Sequence, residues 1–97
     1  MTYTTNTYTA TATVPAWLAA ENLLADTRRY NFDEKIRLDA EVREDWRVAA
    51  LALIPELPYH FSPHRGRLQT LVATLNSADR HAAELAVNPP VAPRRAA

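Results

Sequence analysis

Apolar residues recur along this chain at two periods. From Thr7 to Val14 they alternate with threonine: Tyr8, Ala10, Ala12 and Val14 on one side, Thr7, Thr9, Thr11 and Thr13 on the other. Period two with β-branched and aromatic residues is a strand pattern. Helical segments follow, and they offer such a strand no obvious edge. Residues 1–13 therefore read as an extended threonine-rich arm, either a strand completed against another chain or an unstructured leader.

After Val14 the spacing changes to three and four, which predicts helices at about 14–29, 34–54 and 63–86. In the first, Thr13 is placed to cap and Pro15 suits the opening turn. Trp17, Ala20, Leu24 and Thr27 form its inward stripe, with Leu18 and Leu23 flanking. The second is announced by Asn31 and Glu34 at capping-box spacing. Leu38, Val42, Trp46, Ala49 and Leu53 face inward, Asp39 and Arg43 pair on the outside, and Pro55 ends the helix. The third begins with Ser62 as cap and Pro63 as first residue. It carries an a/d seam of Leu68, Leu71, Leu75, Ala78, Ala82 and Leu85. The last ten residues, NPPVAPRRAA, form a proline-rich extended tail, residues 88–97.

The fold class is all-α: one domain over residues 14–87, a small three-helix bundle or a helical hairpin plus a third helix. The second helix changes character midway. Glu34 to Arg47 is charge-laced, whereas Val48 to Ile54 reads VAALALI without one polar side chain. A segment apolar all round needs cover on more than one side. Leu57, Tyr59 and Phe61 of the proline-punctuated connector can fold back to supply it, or a second chain can.

Composition narrows the chemistry. A chain of 97 residues makes a single thin core. Zero net charge speaks against dominant polyanion binding, although a neutral total leaves room for a local basic patch. There is no cysteine, so thiolate metal sites and disulfides are out, and one glycine cannot build a phosphate-cradling loop. Ten arginines against a single lysine, with eighteen alanines, point to a GC-rich genome. That style suits an accessory protein of a bacteriophage or other mobile element. No apolar run approaches the length of about 20 residues that spans a bilayer, and the start lacks a signal-peptide pattern. The expected location is cytoplasmic, or within a virion.

Three histidines, His60, His64 and His81, have no further ligand at metal spacing, so no metal or cofactor is expected. The carboxylates of the second helix interleave with Lys35, Arg37, Arg43 and Arg47, the pattern of a solvated, ion-paired face rather than an acid–base pair. No nucleophile motif is present, so the chain reads as non-enzymatic, with no small-molecule substrate. The expected function is protein–protein interaction, as an assembly subunit, adaptor or inhibitor. Its candidate interface is Trp17, Trp46, Leu51, Leu68, Leu71, Leu75 and Leu85, shared with a partner or a second copy. The alternative is a small nucleic-acid-binding regulator. It would use the basic start of the third helix, His64, Arg65 and Arg67, with Arg94 and Arg95 of the tail.

Overall fold

The computed structural model describes residues 8–58 and 62–88. Among them are four α-helices and no strand: α1 (Ala16–Arg28), α2 (Phe32–Arg37), α3 (Ala40–Leu53) and α4 (Ser62–Val87), with a 3-10 turn at Ile54–Glu56. The all-α bundle is as the periodicity predicts. Helix α4 packs against each of the other three helices, and α1 also packs on α3.

The threonine alternation does not make a strand over its described part. Thr11 Oγ1 accepts from the backbone N–H groups of Thr13 and Val14, and the Thr11 N–H donates to the Val14 carbonyl at 2.8 Å. Short hydroxyl side chains satisfy the local backbone in this way and turn it. The chain therefore bends at residues 12–14 and enters α1 through Pro15, whose carbonyl accepts from Leu18 and Ala19. Pro15, at φ −65° and ψ 159°, stands just outside the helix, and Thr13 makes no side-chain cap. Tyr8 lies in the core and donates its hydroxyl hydrogen bond to Asp26 of α1. From Tyr8 onward the arm is part of the domain, whereas residues 1–7 lie outside the described residues.

The second predicted helix is two helices. Its capping box forms as expected: Asn31 Oδ1 accepts from the Glu34 N–H and Glu34 Oε1 from the Asn31 N–H, each at 2.8 Å. The helix starts at Phe32, however, and stops after Arg37. Leu38 and Asp39 are extended, with ψ of 159° and 142°, and α3 restarts at Ala40. Arg43 explains the break. Its Nη1 donates to the carbonyls of Lys35, Ile36 and Leu38 at 2.9, 3.0 and 2.6 Å. Carbonyls at and just past a helix end lack the full set of intrahelical donors, and the guanidinium supplies it. Arg43 is thus buried, not the outward partner of Asp39.

Four leucines are fully enclosed: Leu23 of α1, Leu53 of α3, and Leu68 and Leu75 of α4. Leu23, expected to flank the α1 stripe, sits at its centre beside Ala19, Ala20 and Leu24. Ala19, Ala20, Ala50 and Ala78 are also fully buried. A side chain this small lets helix backbones approach closely, and a larger one would force them apart. Trp46 packs in the core and tilts against Tyr30, with ring centroids 5.7 Å apart. Leu57 of the connector is buried in the core, while Tyr59 and Phe61 lie outside the described residues.

Candidate functional site

The interface residues expected from sequence divide into two groups. Trp46, Leu68, Leu71 and Leu75 are buried within the single chain. The α4 seam therefore closes internally as far as Ala78, against α1 and α3. Trp17, Leu51 and Leu85 remain accessible, at 37%, 52% and 44% exposure. Leu85 lies in the last turn of α4, apart from the core.

Leu51 belongs to a larger surface. On the outward side of α3, Glu41, Glu44, Asp45, Val48, Leu51 and Ala52 are all exposed, Val48 by 54%. The face is acidic over its first half and apolar over its second. The apolar half of α3 is covered on one side only, by Ala50 and Leu53 turning into the core. Beside the exposed side a cavity of about 320 Å³ opens between α3 and the arm. Tyr8 and Ala10 form one wall, Val48, Ala49 and Ala52 the other, and Asp45 and Glu56 stand in its lining. Among the described residues no basic side chain lines it.

Tyr8 is held in place at this groove. Burial, reinforced by the hydrogen bond and the charge of Asp26, pushes its phenol up to about 12, while a hydrogen bond with Trp46 works in the other direction.

On the α4 side of α3, Arg43 Nε meets Asp79 Oδ1 at 2.5 Å, and Arg47 reaches the other oxygen of the same carboxylate and Glu44 besides. Burial on its own would raise Asp79, but the hydrogen bonds from Arg43 and Arg47 outweigh it and hold the carboxyl below its ordinary value. One carboxylate bonded to two arginines of a neighbouring helix fixes the register of α3 on α4.

The basic start of α4 is only partly available. His64 Nε2 lies 3.2 Å from Glu21 Oε2 of α1, and Arg65 is half-buried. Arg67 is exposed and faces a cleft of about 950 Å³ between α1, α2 and α4. Arg28 and Lys35 share this cleft with Thr27, Thr70 and Thr74, over a floor that includes Leu24 and Leu71. Among the described residues no carboxylate lines it. Lys35 is buried, donates to the Tyr30 carbonyl, and has its ammonium pulled below the ordinary lysine value by desolvation, which Glu34 only partly offsets. Sequence reading missed both Arg28 and Lys35 as partners of Arg67. A cation at a helix end and one in a charge-laced run carry no sign of convergence. Arg94 and Arg95 lie outside the described residues.

Among the described residues no group of three acidic or histidine side chains is placed to hold a metal ion, and no helix is long and apolar enough to cross a membrane. No family model, curated protein or solved structure matches the chain.

Proposed function

We propose that this chain is a non-enzymatic interaction protein, an assembly subunit, adaptor or inhibitor, whose docking face is the outer side of α3. The observation that carries the reading is the exposure of Val48 and Leu51 beside an apolar groove. In a protein this small, bulky residues exposed together beside a cavity are a cost without a partner. The lining specifies that partner's chemistry. An apolar side chain enters between Tyr8 and Ala52, and basic residues flanking it meet Asp45 and Glu56. A partner segment of alternating apolar and basic character meets both demands. The setting consistent with this reading is the cytoplasm of the host, or a virion if the chain is phage-encoded.

The test compares complexes recovered by the wild-type chain with those recovered by Val48→Asp, Leu51→Asp and Asp45→Lys, each checked for retained helicity. Both apolar variants should lose the partner, and the charge reversal should weaken it. Glu84→Lys, on the exposed end of α4, should leave it unchanged. Equal recovery by all variants would sink the reading. Sedimentation of the chain alone, showing a dimer abolished by Val48→Asp, would replace the foreign partner with a second copy.

A further inference from the structure

Zero net charge conceals a segregated surface. Three cations converge on the cleft between α1, α2 and α4: Arg28 at the end of α1, Lys35 in α2 and Arg67 in the second turn of α4. Among the described residues, the close charge contacts pair other groups. Asp79 takes Arg43 and Arg47, and Glu21 takes His64. Glu34 accepts from the Asn31 N–H, and Asp26 from the Tyr8 hydroxyl. Arg28 and Arg67 have no ion pair among the described residues. Unneutralised cations around one concavity repel each other, and that repulsion is relieved by an anion.

We propose that this cleft is a binding site for a phosphate group. The choice of anion follows from the donors. Two guanidinium forks and an ammonium carry more positive charge than one carboxylate balances, and they suit a multiply charged tetrahedral group. Thr70 and Thr74 lie on the α4 wall and add hydroxyl donors, one turn apart in the sequence. Lys35 uses one proton on the Tyr30 carbonyl and keeps two for a ligand. The chain's one glycine, Gly66, stands at the same cleft, and nothing lies within 4 Å of the position a side chain would take there. The floor of Leu24 and Leu71 leaves space for an organic portion beside the phosphate. The docking face on α3 is separate, and neither site depends on the other.

The experiment titrates the full-length chain, at low ionic strength, with inorganic pyrophosphate and separately with a short single-stranded oligonucleotide, followed by nuclear magnetic resonance. Saturable shifts at Arg28, Lys35 and residues 66–70 are expected with at least one probe, and added salt should weaken them. Arg28→Gln and Arg67→Gln, both at exposed positions that the fold does not require, should each weaken binding about tenfold. Val48→Asp should leave it unchanged, which keeps failure here distinct from failure of the docking face. Binding of pyrophosphate that the oligonucleotide does not displace supports the site with a small phosphorylated ligand as the source. Oligonucleotide binding lost in both arginine variants supports it with a nucleic-acid backbone as the source. No saturable shift with either probe, or shifts indifferent to both arginine substitutions, overturns the proposal.

Discussion

Arg43 is the residue on which most of the local architecture depends. Its guanidinium joins three carbonyls of the α2 end to Asp79 of α4. Arg43→Ala should therefore destabilise by about 3 kcal/mol, because it takes a buried donor from the carbonyls at the α2 end and leaves Asp79 with Arg47 alone. Urea denaturation would measure this, and a change under about 1 kcal/mol would show that water replaces the guanidinium without loss. Gly66 gives the opposite expectation. It lies inside α4 with a favourable place for a methyl group, so Gly66→Ala should stabilise by about 0.5–1 kcal/mol. A raised midpoint in thermal unfolding is the check. Neither role can be read from neighbouring letters. Arg43 suggested a surface pair with Asp39, four residues away, whereas its carboxylate partner is 36 positions on. Trp46, by contrast, lay at helical spacing among apolar residues and is buried as that spacing implies. Trp46→Ala should cost about 3–5 kcal/mol.

Among the elements, those with a local cause were legible. The Asn31–Glu34 capping box and the leucine seam of α4 are written in contiguous sequence; the box forms, and the seam closes as far as Ala78. The break between α2 and α3 was not, because the decisive side chain enters from the next helix. Asp39, a favoured residue just ahead of a helix, was the available signal. The threonine alternation failed for a related reason: with no edge to join, the hydroxyls serve the local backbone and the arm turns inward. Tyr8 gives that arm a measurable pH dependence. Its folded phenol ionises near 12 against an ordinary 10.0, so folding is favoured fully below pH 10. The contribution is lost as pH rises from 10 towards 12, since the unfolded chain releases the proton first. Tyr8→Phe should be less stable at neutral pH and lack Tyr8's share of the alkaline loss, which thermal melts across that range would show. An unchanged alkaline slope would detach Tyr8 from the effect.

For the molecule as a whole, the same logic sets the acid limit. Asp79 is ionised in the fold to lower pH than its ordinary 3.8, so its stabilisation is present above that value and disappears as pH falls through the folded one. Asp79→Asn should lower stability at pH 7 and flatten the loss below about pH 4; a parallel acid curve would place the sensitivity elsewhere. Neutral total charge thus resolves into an acidic and apolar face on α3, an arginine–carboxylate lock between α3 and α4, and a cationic cleft between α1, α2 and α4. The all-apolar stretch of α3 announced that a surface would need cover, because composition alone reveals it. Which of its residues stay outside depends on the path of the arm, and the cleft depends on three helices meeting. Both are long-range outcomes.

The length of α4 has a consequence for motion. Its residues from Leu68 to Ala78 contribute four side chains to the interior, whereas Ala83 to Val87 are all exposed. The Asn88 N–H still reaches the Glu84 carbonyl at 2.7 Å, but among the described residues nothing buries the side chains of that turn. One continuous helix therefore contains two regimes of hydrogen exchange. Amides around Leu71 and Leu75 should trade deuterium only when the entire chain unfolds, and those after Glu84 through fraying alone. Across about a dozen residues the protection factor should fall by several orders of magnitude. The helix is packed through its middle turns and exposed over its last.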